Sequence, residues 1–265
     1  ERSGKAGLIT LTRPAALNAL THEMVRVFQE ALLAWESDPE IAAVLIRGEG
    51  RAFCAGGDIA RVYRECREGR PPVDFFYDEY QLNAYLRAYP KPCVSLIDGI
   101  VMGGGVGISV HGSHRILSEK TRFAMPEVGI GFFPDVGGSY FLPRLRDRFG
   151  YYLGLTGAHV GWGDCLRAGI ATDCIPSEAL DGLVGEICDT GDVAAAIASR
   201  RTVPQPETPE EAWRAISEIL AGDSVPAIVE RLEAESGEWA AKALAAMRRA
   251  SPTSLHVTLR LLTEG

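Results

Sequence analysis

Two glycine-rich stretches decide how this chain is read: Phe53-Cys54-Ala55-Gly56-Gly57-Asp58 and Met102-Gly103-Gly104-Gly105-Val106-Gly107. Each follows a short apolar run, Ala42 to Ile46 (AAVLI) before the first and Cys93 to Ile97 (CVSLI) before the second. Runs with so little polar alternation are the pattern of strands buried on both faces. Between them, Asp74 to about Tyr89 is predicted as a helix that stops ahead of Pro90 and Pro92, because proline disfavours a helical conformation in the residue before it. Strand, helix, strand in that order makes a parallel pair, so both glycine turns open at the same end of one sheet. No ordinary helix selects so many glycines on propensity. Glycine does let a ligand approach the peptide NH with no Cβ in the way, and a helix beginning at Gly104 or Gly105 adds its positive dipole end. Two NH groups aimed at one oxygen form an oxyanion hole. Taken singly, each turn is equally compatible with a tight bend or a close helix contact.

Outward from this centre, Gly7 to Thr12 reads as a strand ended by Arg13-Pro14. From Thr21, a possible N-cap, the residues Met24, Val27, Phe28, Ala31, Leu32 and Trp35 recur at helical spacing. Ile170 to Ile175 reads as a further short strand. Beyond it the chain turns alanine-rich, with helices predicted over Glu210 to Leu220, Ser224 to Leu232 and Glu238 to Ala250. The proline-rich segment Thr202 to Pro209 is read as the linker between two regions, an α/β core over 1–201 and a helical region over 202–265. The fold class is therefore α/β.

Composition removes several function classes. The net charge of -8 disfavours a nucleic-acid binder, which needs clustered Lys and Arg against phosphate. The six cysteines form no CxxC pair, so neither a zinc site nor a redox dithiol is indicated, and they are read as reduced, buried thiols. No uncharged apolar stretch is long enough to span a membrane. The chain starts at Glu1 and stops at Gly265 just after a helical pattern, so both ends are expected to be trimmed and a leader peptide is unreadable. Two other glycine signatures fail on spacing. A dinucleotide GxGxxG from Gly103 meets Ile108, and one from Gly129 meets Pro134. A nucleophile elbow GxSxG from Gly107 places Ser109 correctly but meets His111.

Five stretches in order, LTRPAALNAL (11–20), FCAGGDI (53–59), KPCVSLIDGIVMGGGVG (91–107), FAMPEVGIGFFPDVGG (123–138) and LTG (155–157), resemble the enoyl-CoA hydratase/isomerase, or crotonase, superfamily. The likeness spans roughly Gly7 to Ile175. It implies a spiral of β-β-α repeats followed by a helical region, an acyl-CoA thioester as ligand, and oxyanion NH groups at Gly57 and Gly104. In the hydratases one catalytic glutamate stands two positions after the GGG run, where this chain has Gly107, and a second sits in the later Pro-Glu motif, here Glu127. Another carboxylate, Asp135, appears in Phe133-Pro134-Asp135-Val136-Gly137-Gly138. With Asp78-Glu79-Tyr80-Gln81-Leu82-Asn83 upstream, the set is similar to the 3-hydroxyisobutyryl-CoA hydrolase branch, in which the residues matching Glu79, Gly104, Glu127 and Asp135 contact substrate or carry the reaction.

Elementary chemistry agrees with that branch. Adding water across a conjugated double bond asks for two carboxylates, one to activate water and one to move a proton at carbon 2, whereas thioester cleavage asks for one nucleophile or base and an oxyanion hole. Glu127 is expected to attack the carbonyl or activate water, with Asp135 positioning the water, moving a proton or holding the substrate 3-hydroxyl. Glu79 is a substrate-binding candidate or a solvated helix residue. Taken singly, Glu127 and Asp135 are also compatible with turn or helix caps. Asp58 is read as a cap or ion-pair partner, Cys54 as a buried spectator, and Arg13 and Arg61 as candidate phosphate partners. His111 and His114 are read as packing or surface histidines. The leading expectation is a hydrolase of a short branched 3-hydroxyacyl-CoA in valine breakdown. An enoyl-CoA hydratase or dienoyl-CoA isomerase, or a non-catalytic acyl-CoA-binding protein, stand as alternatives. No cofactor or metal is expected, because coenzyme A is part of the substrate. The resemblance further implies a homo-oligomer, a trimer or dimer of trimers, located in the cytoplasm of a bacterium or the mitochondrial matrix of a eukaryote.

Overall fold

The computed structural model describes residues 1–220 and 222–265. By contact the chain divides into two units, 1–122 with 171–204 and 123–170 with 205–265.

The first unit is built on five parallel strands, β1 (Ala6–Leu11), β2 (Ala43–Gly48), β3 (Cys93–Ile97), β4 (His114–Leu117) and β5 (Asp173–Cys174), lying side by side in that order. A short strand, Arg2–Ser3, runs antiparallel along the free edge of β1. The registers Leu8↔Leu45↔Val94↔His114 and Thr10↔Arg47↔Leu96↔Ile116 keep equivalent side chains on one face. On that face Leu8, Leu45, Val94, Leu96 and Ile116 form a core with Leu183, Ile187 and Ile197 from the helices Leu180–Thr190 and Val193–Ala198. The alternate residues Val44, Ile46 and Ser95 are just as deeply buried, so the sheet is covered on both sides, as its unalternating runs predict.

Helix α1 (His22–Glu36) begins at the predicted cap, where the Thr21 hydroxyl accepts from the Met24 NH at 3.2 Å. Helix α2 (Ile59–Arg67) is a finding that the sequence reading did not contain. Its apolar residues Ile59, Val62, Tyr63 and Cys66 recur at helical spacing although none is buried, and its start is fixed by the Asp58 carboxylate accepting from the Arg61 NH. Helix α3 (Val73–Ala88) ends before Pro90, and α4 (Gly104–Val110) begins inside the second glycine run. The expected strand at Ile170 to Ile175 is confined to Asp173–Cys174. Ile170 is otherwise engaged: its NH donates to the Cys165 carbonyl and closes the helix Trp162–Ala168 through Gly169, which is left-handed at φ +89°.

The second unit contains the helices Phe149–Thr156, Trp162–Ala168, Glu210–Ile219, Val225–Ala234, Glu238–Arg249 and Pro252–Glu264. Phe149 and the fully buried Trp213 stack with centroids 4.1 Å apart, and the Trp213 indole NH donates to Asp147 at 2.7 Å. The end of the proline-rich segment is tightly held. Glu207 caps Trp162–Ala168 by accepting from the Gly163 and Asp164 NH groups at 3.2 and 2.7 Å, while the buried Asp164 accepts from the Thr208 NH and hydroxyl at 2.9 and 2.6 Å. Among the described residues, no helix is long and apolar enough to cross a membrane.

Candidate active site

In the first unit the two glycine turns meet. Leu20 pairs with Gly57 as a lone parallel bridge: the Leu20 NH donates to Gly56 O and the Asp58 NH to Leu20 O, at 2.8 and 2.9 Å. Along extended backbone successive amides point to opposite sides, so the Gly57 NH faces away from Leu20. It faces Gly104, since a methyl group placed on Gly104 would stand 3.2 Å from the Gly57 nitrogen. Gly104 is the first residue of α4, and first-turn amides have no partner inside their own helix. Gly103 makes this entry with φ +48° and ψ -122°, and Gly56 turns the first motif with φ +109°, conformations that a side chain resists. Gly57 and the start of α4 at Gly104 are thus close neighbours.

Close packing holds the pair in place. A Cβ on Gly105 would collide with the Cys54 carbonyl and come within 2.8 Å of Cys54 Cβ. Backbone cannot yield there as a side chain can, so Gly105→Ala is expected to destabilise the protein by about 3 kcal/mol or more, read as a lowered chemical-denaturation midpoint.

Helix α3 supplies an acid. Glu79 is 2% exposed, which disposes of the solvated-face reading, and a methyl on Gly104 would strike its Oε1. Phe75, one turn earlier, lies beneath Gly57, with its Cζ 3.3 Å from where a Cβ would be. Asp78 pairs with His22 Nε2 at 2.6 Å and ties α3 to the start of α1 beside Glu79. Sequence reasoning missed this pair, because two residues 56 positions apart carry no joint signal.

Several other residues resolve into structural roles. Asp58 caps α2 and pairs with Arg13 at 3.2 Å, so that arginine is committed to the turn. Arg61 lines a cavity of about 280 Å³ together with Leu20, Thr21, His22, Asp58 and Phe75, while its Nε donates to Glu65 at 2.7 Å. Cys54 is fully buried, its thiol donates to the Asn18 carbonyl at 3.1 Å, and burial pushes its pKa up to about 12, so it is no nucleophile. His114 is partly buried beside Ser113, and burial lowers its pKa. Gly107 is buried within α4, a helix that carries no carboxylate anywhere between Gly104 and Val110.

In the second unit Glu127 opens the short 3-10 helix Glu127–Ile130 and is 6% exposed. Its carboxylate meets its own backbone NH, while its Oε2 is buried without a hydrogen-bond partner among the described residues. Burial, opposed by its own backbone NH and reinforced by the charge of Asp135, raises its pKa from 4.5 to about 8. Asp135 is half-buried ahead of Val136 (φ +41°) and Gly137 (φ +82°). The helix Gly138–Phe141 has Gly137 as its cap residue with no side-chain cap bond, so Asp135 does not act as its N-cap. A buried carboxyl with a raised pKa and a second carboxylate near enough to perturb it is a candidate for acid-base or nucleophilic chemistry.

The parallel sheet with its glycine turns, and the buried glutamate of the Met-Pro-Glu turn in the other unit, are features of one enzyme class. The chain belongs to the enoyl-CoA hydratase/isomerase family, whose model matches residues 6–265. Among curated relatives, the 3-hydroxyisobutyryl-CoA hydrolases named as mitochondrial from Danio rerio and Homo sapiens are 44% and 43% identical, each aligned over 100% of this chain and 72% of its own length. The 3-hydroxyisobutyryl-CoA hydrolase 1 of Arabidopsis thaliana is 40% identical, with 74% of its length aligned. Among solved structures, a carnitinyl-CoA dehydratase from Mycobacterium thermoresistibile superimposes with a TM-score of 0.94 at 42% identity, over 99% of this chain and 79% of that one. An enoyl-CoA hydratase from Rhodobacter sphaeroides 2.4.1 gives 0.89, also at 42% identity, over 99% and 77%. The crotonase fold is thereby established.

Proposed function

We propose that this protein hydrolyses the thioester of 3-hydroxyisobutyryl-CoA, releasing 3-hydroxyisobutyrate and coenzyme A. The observation that carries the reading is the combination of Glu127, a buried carboxyl with its pKa raised to about 8, with Gly107 at the position where hydratases hold their other glutamate. The full-length similarity to proteins named for this hydrolysis supports the substrate.

The roles follow from the chemistry. The Gly57 and Gly104 amides receive the thioester oxygen as it gains charge, with the α4 dipole behind them. The Glu127 carboxylate either attacks the carbonyl carbon to form an anhydride that water then cleaves, or takes a proton from the water that attacks. By the direct route the water C–O bond forms as the C–S bond breaks; by the anhydride route the Glu127 C–O bond forms as C–S breaks, and is itself broken when the water C–O bond forms. In both the thiolate of coenzyme A takes up a proton and one water is consumed. Asp135 orients that water or the substrate 3-hydroxyl, and Glu79 binds substrate beside the amides.

Hydration is the competing reading, because the two solved relatives at 42% identity are titled as a dehydratase and a hydratase. The absence of any carboxylate on α4 argues against it. The deciding experiment measures thiol release from 3-hydroxyisobutyryl-CoA with a thiol-reactive dye, alongside loss of the conjugated chromophore of crotonyl-CoA. Rapid thiol release with negligible hydration is expected. Hydration without thiol release would reject the hydrolase reading.

A further inference from the structure

Asn83 is a deeply buried polar side chain on α3 that neither the fold nor the chemistry above accounts for. It is 5% exposed, and neither its amide oxygen nor its amide nitrogen has a hydrogen-bond partner among the described residues. Buried polar groups are nearly always bonded, and an exception calls for an unseen partner such as a water. Nothing local favours asparagine here. It is a weaker helix former than leucine, and its buried neighbours on α3 are Leu82 and Leu86.

Its position is informative. Phe75, Glu79 and Asn83 stand four residues apart and are all buried, so they form one stripe along α3, with successive side chains stacked as i, i+4 neighbours. The stripe tracks the amide pair: Phe75 lies under Gly57 and Glu79 against Gly104. Asn83 is therefore the next polar group along the stripe from Glu79, and its donors suit a carboxylate oxygen either directly or through one water.

We propose that Asn83 holds an internal water that hydrogen-bonds the Glu79 carboxyl group, making Asn83 the positioning residue that keeps Glu79 against the Gly104 amide. The inference deepens the hydrolase reading and rests on it for its kinetic arm. It explains why an amide persists where a leucine would pack, since a buried water with several polar partners is an integral part of a fold and replaces the bonds the amide lacks.

Two measurements test it. The first is a high-resolution crystal structure of the full chain, expected to show an ordered water within hydrogen-bond distance of both Asn83 and Glu79, which is lost in Asn83→Leu. The second is kinetic, on 3-hydroxyisobutyryl-CoA. Asn83→Leu is expected to keep the wild-type melting temperature or exceed it, to lower kcat about tenfold, a size typical of lost positioning, and to leave KM nearly unchanged. Adding Glu79→Gln to Asn83→Leu is expected to lower the rate no further than Glu79→Gln alone, because both changes break one arrangement. Asn83→Ser, which can still hold a water, should recover most of the rate and serves if the leucine variant does not fold. Full activity in Asn83→Leu, multiplicative losses in the double variant, or a dry Asn83 would overturn the proposal. If the wild-type protein releases no thiol at all, the hydrolase reading falls, and the crystallographic water alone then decides for or against the role of Asn83.

Discussion

Glu127→Gln is expected to lower kcat for thioester hydrolysis by at least about 10³-fold while leaving the protein folded and, at alkaline pH, more stable. Both consequences come from one feature, a carboxyl placed where ionisation is disfavoured. If the carboxylate is the reactive form, kcat/KM of the wild-type protein rises with pH and levels off above an apparent pKa near 8, and the Gln variant lacks that limb. The stability effect has the opposite dependence. A folded-state pKa raised above the unfolded value contributes stability that is fully present below pH 4.5 and is lost as the pH rises through about 8, because the unfolded chain then releases a proton that the folded protein retains. The amide has no such proton to lose. Thermal melts of both proteins at pH 5 and pH 9 should therefore differ little at the lower value, with the variant ahead by about 1 to 3 kcal/mol at the higher one, where the buried charge of the wild type lacks a partner on Oε2. A gain in stability coupled to loss of catalysis marks a group kept for function. Unchanged hydrolysis in the Gln variant would remove Glu127 from the reaction.

The second large effect is expected at Gly104. An alanine methyl there would stand 3.2 Å from the Gly57 nitrogen, in the space that an oxyanion needs in order to meet both amides, and would press on Glu79 Oε1. Loss of about 10² to 10³ in kcat follows, the range found when a single oxyanion donor is removed. The fold should survive, because alanine is the better helix former and the crowded atom is the end of a side chain. This separates Gly104 from its neighbour: Gly105→Ala meets the Cys54 carbonyl and threatens the structure, whereas Gly104→Ala threatens only the site. Circular dichroism beside the thiol-release assay tells the two apart, and a fully active Gly104→Ala would remove the amide pair from the mechanism.

Much of the first unit was legible because its signals are local. The apolar runs Ala42 to Ile46 and Cys93 to Ile97 and the Thr21 cap act within a few residues of where they stand, whereas the short strands Ala52–Cys54 and Ile100–Met102, which lead into the two glycine turns and belong to a separate three-stranded sheet, were not read. Helix α2 was missed although Ile59, Val62, Tyr63 and Cys66 stand at helical spacing behind the Asp58 cap, because a stretch of nine residues directly after a glycine turn reads as part of the loop. The strand expected from Ile170 shrank to Asp173–Cys174 because a Schellman closure used Ile170 first, a competition between two local rules that apolar content cannot settle.

By itself the sequence determined the α/β class, the paired glycine turns, the place of Glu127 and Asp135 in one motif, and the missing carboxylate at Gly107, because each is written in contiguous residues. Only the tertiary structure decided that the Gly57 amide faces Gly104, that Glu79 is buried against it, that His22 holds Asp78, and that Glu127 sits deep enough to ionise near pH 8. The reason is physical: direction and desolvation depend on atoms brought close from distant parts of the chain, and no single stretch of residues carries that information.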